Sequence, residues 1–354
     1  MSLSAPFGYA YSSAVVSALL AKLLTSNQYK RVLEADSLQD ALELFRQTPY
    51  RAILEDIEIG EDFGLMFDKA INREVEQRIT RILRASPKRA KLFLNSIIEH
   101  EEYDVLKSVL RVLIMGADAS LAGSKIAPFG RFTLDVCSDI INNGKIEKAL
   151  EYIRYSSLKK ELSSVFMGKI IEKTVFEVDL IFERHHFRKI KKELKKLGGM
   201  DKEKMMAILG VEADIGNLIS SFRAANLGLA LSDAKRYRIP FHRYLPETNL
   251  NAIVEAEDLS KAKSSITDIY QDVAIGIRGS DDEFVSSLEL SCERYLASKY
   301  LGVFTGYRMN IGLIWAYLKL MLYEVSDIRT ILIGKMYDIQ RSGIENKLIL
   351  YKLV

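Results

Sequence analysis

Glu102-Tyr103-Asp104-Val105-Leu106-Lys107-Ser108-Val109-Leu110-Arg111-Val112-Leu113 sets Leu106, Val109, Leu110 and Leu113 at i, i+3, i+4 and i+7, the stripe of an amphipathic helix with one buried face. Its skeleton, Glu102-x3-Leu106-x3-Leu110-Arg111, returns as Asp214-x3-Leu218-x3-Phe222-Arg223 and as Glu324-x3-Ile328-x3-Leu332, at separations of 112 and 110. Two earlier patterns keep almost the same step. Asp68-x3-Asn72-Arg73, Asp179-x3-Glu183-Arg184 and Glu289-x3-Glu293-Arg294 stand 111 and 110 apart, and Leu38-x2-Ala41, Ile146-x2-Ala149 and Leu259-x2-Ala262 stand 108 and 113 apart. The three patterns keep their order in each copy. A period this far above the roughly 20 to 50 residues of a solenoid rung makes each copy the size of a domain. The reading is therefore one unit written three times, as three similar helical domains.

Six prolines and twenty glycines in 354 residues leave long stretches, such as Glu61 to Ala85 and Phe166 to Leu197, without a proline. No set of alternating strands competes with the helical spacing, so the expected fold is all-α. Ser86-Pro87 breaks the pattern 19 residues after Asp68, because proline disfavours helix in the residue before it. Gly198-Gly199 stands in the comparable place after Asp179. The connections Ala127-Pro128-Phe129-Gly130-Arg131 and Leu245-Pro246-Glu247-Thr248-Asn249, with Pro6-Phe7-Gly8 as their counterpart, put the domains at 1–116, 117–228 and 229–354. The terminal helices are expected to pack together across the first and third.

A formal net charge of +3, from 50 basic and 47 acidic residues, exerts no general pull toward nucleic acid. Cys137 and Cys292 lack metal-type spacing and read as reduced, buried thiols of a cytoplasmic protein. The N-terminus lacks the positive-then-apolar order of a signal peptide. The most apolar stretch, Ile311 to Tyr323, carries Lys319 and falls short of the roughly 20 residues that span a bilayer. No membrane crossing is expected.

A search for chemistry finds no catalytic, cofactor-binding or metal-ligating set. His185 and His186, being adjacent, point about 100° apart on a helix and do not form a two-ligand face. Gly123-Ser124-Lys125 follows Gly116 at the wrong distance for a phosphate loop, and Gly334-Lys335 lacks the first glycine. The carboxylates Asp68, Asp179 and Glu289 invite comparison with active-site acids, but each has an arginine five residues on, which points to structural ion pairing. Arg111 and Arg223 end similar stripes where the third copy has Ile333, which argues against an arginine role common to all three.

Basic residues are densest from Arg184 to Lys196. Phe187, Ile190, Leu194 and Leu197 mark the buried stripe there, and Arg184, Arg188, Lys191, Lys192, Lys195 and Lys196 are the candidate partner-contact residues. Arg78, Arg81, Arg84, Lys88, Arg89 and Lys91 form a similar cluster in the first copy. A solvated face and an electrostatic contact with an acidic partner or anionic headgroups both fit these clusters. Nucleic acid fits less well, since exposed aromatics are not interleaved.

Tyr9-Ala10-Tyr11-Ser12-Ser13-Ala14, followed by Leu23-Leu24 and Ala41-Leu42-x5-Thr48-Pro49-Tyr50, resembles the opening of the C subunit of archaeal and bacterial A/V-type ATP synthases, the family of the eukaryotic V-ATPase d subunit. Asp214-Ile215-Gly216-Asn217-Leu218-x4-Arg223 and Glu324-Val325-Ser326-Asp327-Ile328-Arg329-x4-Gly334-Lys335 resemble that family's recurrent helices. The resemblance implies a funnel of three helical domains around a pseudo-threefold axis. It also implies a non-catalytic central-stalk rotor subunit, a socket that receives the central shaft and sits on the membrane proteolipid ring. Such a part carries torque between ATP synthesis or hydrolysis and proton or sodium transport, peripheral on the cytoplasmic face. The alternative is a general helical scaffold, which would ignore shaft and ring proteins.

Overall fold

Where proline and glycine are sparse, the chain runs in long helices separated by clusters of short ones. The computed structural model describes residues 8–60, 62–116, 129–166, 171–278 and 281–354. Pro6-Phe7, Ala127-Pro128 and Gly123-Ser124-Lys125 lie outside the described residues.

Short helices α1 (Ala10–Leu20), α2 (Ser26–Leu33), α3 (Leu38–Arg46) and α4 (Arg51–Leu54) precede a long pair, α5 (Phe63–Ala85) and α6 (Lys88–Met115). The order then returns. Helices α7 (Leu134–Asn143), α8 (Ile146–Glu151) and α9 (Ser156–Val165) precede α10 (Ile171–Leu194) and α11 (Gly199–Asn226). Helices α12 (Leu231–Arg236), α13 (Glu247–Val254), α14 (Leu259–Ser264) and α15 (Gln271–Gly276) precede α16 (Asp281–Val303) and α17 (Ile311–Met336), and α18 (Arg341–Glu345) follows. Among the described residues there is no β-strand, and the fold is all-α.

Local chemistry explains the breaks. Ser86 leaves α5 with extended backbone, φ −88° and ψ 148°, as a residue before proline prefers. Gly199 opens α11 at φ +51°, a conformation that glycine adopts without steric cost. Asn310 starts α17 by accepting the Leu313 N–H at 3.3 Å. The earliest repeated pattern marks the starts of short helices: Ser37 and Asp258 cap α3 and α14 through their side chains. Ala41, Ala149 and Ala262, three residues into α3, α8 and α14, are all fully buried. A larger side chain there would overpack a closed contact.

The chain divides into two compact units, and two of the boundaries between them fall inside α6 and α16. The first holds the described residues of Met1–Leu94, Ala127–Phe129 and Leu296–Val354. Its centre is α17, which packs against α1, α3 and α5 and buries Trp315, Tyr317, Leu318 and Met321 on several sides. Burial all round is the mark of a core helix. The indole of Trp315 lies 5.6 Å from the Phe93 ring.

The second unit holds the described residues of Asn95–Ile126 and Gly130–Tyr295. Here α11 is central, packed against α10, α12, α13 and α14, while α9 covers α10. Phe176, Ala224, Ala234 and Val254 form one apolar cluster, and Phe187, Ala213 and Ile239 another. Among the described residues, helix α11, rather than the stretch Ile311 to Tyr323, is the one long and apolar enough to cross a membrane by length and composition. Its neighbours and the fully buried Asp214 within it give it the character of a core helix. Cys137 and Cys292 are buried free thiols; burial pushes Cys137 up to about 11, far from a reactive thiolate.

Candidate functional site

The repeated acids are where sequence offered chemistry, and the structure gives them partners other than those expected. Asp179 meets the Arg111 guanidinium at 2.6 and 2.7 Å, Glu289 meets Arg223 at 2.6 Å, and Asp68 meets Arg329 at 2.6 Å. None of these is the arginine five residues on. Five residues of helix turn the side chain about 140° away, beyond the reach that i+3 or i+4 would give. The arginine role missing at Ile333 is filled one helical turn earlier, by Arg329. Ion pairing therefore recurs in all three copies, with each acid tied to an arginine on another long helix.

A second set of acids fastens loops. Both carboxylate oxygens of Asp214 on α11 accept main-chain N–H groups, from Arg243 at 2.9 Å and from Tyr244 and Leu245 at 2.7 and 3.2 Å, and the Tyr270 hydroxyl donates at 2.7 Å. Glu324 on α17 accepts the Leu24 N–H and the Tyr50 hydroxyl. Glu102 on α6 accepts the Arg131 main-chain N–H at 3.2 Å and forms an ion pair with the Arg131 guanidinium at 2.9 Å. In each case an acid of a long helix holds a connection that leads into a short helix, α13, α2 or α7. Burial holds the Glu324 carboxyl up at about 7, against the lowering pull of the Tyr50 hydroxyl, the Leu24 N–H and Arg78.

The histidines that stand out in the sequence, His185 and His186, are not the ones gathered with acids. Instead His100, Glu101 and Asp104 bring three donor atoms within 4.8 Å of one another. The acids of this group already have cationic partners. Lys107 contacts Asp104 and lies 3.1 Å from Glu183, and His100 Nε2 lies 3.2 Å from Glu183. Burial opposes a charge on His100, but Asp104 and Glu183 together hold its pKa well above the ordinary value. With Lys107 and Glu183 joined to it, the group reads as an ion-pair network between α6 and α10. His185 differs: burial, then Arg188 and Lys192, push it down to about 4.

The six candidate contact residues divide. Arg184 is buried, pairs with Glu161, donates to the Arg236 carbonyl and lies 5.4 Å from the centre of the Tyr237 ring. It is a packing residue, and its position three before Phe187 on the buried stripe was the signal for that. Arg188, Lys191, Lys192, Lys195 and Lys196 are exposed along the end of α10 and the turn after it. Three of them are engaged locally: Arg188 lies 4.0 Å from Glu161, Lys191 donates to the Pro240 carbonyl at 3.0 Å, and Lys196 pairs with Glu193 at 2.7 Å. In the first-copy cluster Arg78 is likewise buried, paired with Glu74 at 2.7 Å and set 5.1 Å from the centre of the Tyr50 ring.

The family model of the ATP synthase (C/AC39) subunit matches residues 12–347. The chain belongs to this family. Among similar proteins, the A-type ATP synthase C subunit of Methanosarcina barkeri is 21% identical over 347 residues, covering 98% of this chain and 92% of the relative. That of Pyrococcus abyssi is 21% identical, covering 91% and 85%. That of Methanocaldococcus jannaschii is 17% identical, covering 96% and 86%. This C/AC39 protein is thus part of an A/V-type ATP synthase, a structural rather than catalytic component that works with the other subunits of a membrane-associated complex.

Proposed function

We propose that this chain is the central-stalk socket of the rotary complex, receiving the shaft at one end, resting on the proteolipid ring at the other, and passing torque between them. The observation that carries the reading is the family match from residue 12 to residue 347. A torque-bearing link has to be stiff, and the acids of the long helices supply a physical basis for stiffness by holding loops that lead into short helices. In this reading the domains 1–116, 117–228 and 229–354 form a pseudo-threefold funnel on the cytoplasmic face. The partners are protein subunits, with no nucleic acid, and the exposed α10 lysines orient the ring contact.

Removal of the chain from the assembled complex is expected to abolish ATP-driven ion pumping while the soluble head keeps its ATPase activity, and the purified chain is expected to bind both shaft and ring. Unchanged pumping would end the reading and favour a general scaffold. Exchanging Lys191, Lys192, Lys195 and Lys196 for glutamate is expected to weaken ring attachment; full attachment would remove the electrostatic part alone.

A further inference from the structure

The exposed face of α5 carries a second basic surface with a different character from that of α10. Arg73, Arg81 and Arg84 project into an open groove of about 720 Å³, walled on the α1 side by Tyr11, which is 70% exposed. None of the three arginines has a carboxylate within ion-pair distance among the described residues, whereas Arg46, Arg51 and Arg78 of the same unit all do. One acid, Glu76, lines the groove. Helical rise places Arg81 about 12 Å and Arg84 about 16 Å from Arg73 along the axis, and 73 and 84 fall within about 20° of each other around it. Arg81 and Arg84, three apart, repel one another in the free protein.

We infer that this groove docks an acidic helical segment of a protein partner, with one carboxylate meeting Arg73, two more about two and three turns along meeting Arg81 and Arg84, and an apolar side chain resting on Tyr11. The inference rests on the reading of the chain as a linking subunit and adds a binding site to it. Guanidinium groups favour planar carboxylates, which they grip with two parallel hydrogen bonds. The recess suits a rod-like segment that inserts between α1 and α5. A flat layer of anionic headgroups would reach the groove's rim and leave its floor unfilled. Relief of the arginine repulsion and desolvation of Tyr11 act in the same direction on binding.

The test uses the full chain with Arg81→Glu and Arg84→Glu together, and separately with Arg81→Gln and Arg84→Gln. All four substitutions fall on exposed side chains, and circular dichroism and thermal unfolding check that the fold is retained. Two probes are used: the complex stripped of this chain, and an alanine-rich helical peptide with glutamates at positions 1, 9 and 12. Wild type is expected to bind both, the glutamate variant at least tenfold more weakly and the glutamine variant less so, with a shallower dependence on salt. A peptide with the same glutamates at positions 1, 6 and 10 is expected to bind more weakly than the matched one. Equal binding of variants and wild type to both probes would overturn the inference. So would loss of binding to phosphatidylglycerol vesicles with both protein probes unaffected. If wild type ignores the stripped complex, the linking-subunit reading fails, and the matched peptide still decides the groove.

Discussion

Asp214 and Glu324 occupy equivalent places in the repeat, yet one is surrounded by donors and the other is not. Asp214 gathers three main-chain N–H groups and a tyrosine hydroxyl, while Glu324 gathers one N–H and one hydroxyl, with Asp327 adding negative charge nearby. Both are fully buried. A buried carboxylate is stabilised in its charged form by the donors aimed at it, so burial alone does not decide how such a group behaves. The same structural task, holding a loop on a long helix, is thus done with four donors around the acid in one place and with two in the other, where burial holds the carboxyl up at about 7.

Asp214→Ala is expected to have the largest effect. It strands the N–H groups of Arg243, Tyr244 and Leu245 and the Tyr270 hydroxyl in a buried site, and each unmet donor costs about 1 kcal/mol or more. A loss of roughly 3–5 kcal/mol is expected in urea unfolding at neutral pH, with amide exchange at 243–245 accelerated. A loss under about 1 kcal/mol would mean that this acid does not hold its loop.

Glu324 gives an effect of the next size, and its sign is opposite to that of a salt-bridged acid. Its carboxyl moves from 4.5 to about 7 on folding, so between these values the folded protein holds the proton that the unfolded chain has released. Stability is therefore greatest below about pH 4.5 as far as this group is concerned, falls as pH rises to about 7, and is flat above. At 1.36 kcal/mol per unit the fall is at most roughly 3 kcal/mol. Glu324→Gln, which stays neutral and still accepts the Leu24 N–H, is expected to remove this part of the slope. Parallel stability–pH curves for the variant and wild type would show that Glu324 does not titrate there.

The paired acids show what sequence could and could not disclose. The long helices were legible because proline is absent from them, and proline or paired glycine stands at two of their breaks, at Ser86-Pro87 and Gly198-Gly199. The period of the acids was legible too. Their partners were not, since Asp179 and Arg111 are 68 residues apart and linear proximity favours the wrong arginine. Arg184 and Arg78 fall in with exposed charges when only charge density along a helix is weighed, because density ignores which face each residue occupies. Their spacing answers that question: Arg184 falls three before Phe187, and Arg78 falls between Val75 and Ile82 on a buried stripe. Neither the His100 network nor the groove on α5 has a signature in one dimension, because each depends on elements brought together by packing.

The smallest expected effect tests whether the third ion pair is an ordinary member of the set. Arg329 and Asp68 have side chains 30% and 13% exposed, and Arg111 and Asp179 41% and 11%, so solvent screens both pairs and each is worth only about 1 kcal/mol. Arg329→Ala and Arg111→Ala should therefore lower stability by similar amounts. The register separates them. Adding Ile333→Arg to Arg329→Ala restores the spacing of the other two copies in sequence, but it puts the guanidinium about 6 Å further along α17 than the position that meets Asp68. No recovery is expected in thermal unfolding, whereas Arg329→Lys should recover part of the loss. Full rescue by Arg at 333 would show that α17 slides by a turn with little resistance, and the one-turn offset would then be incidental to how this unit packs.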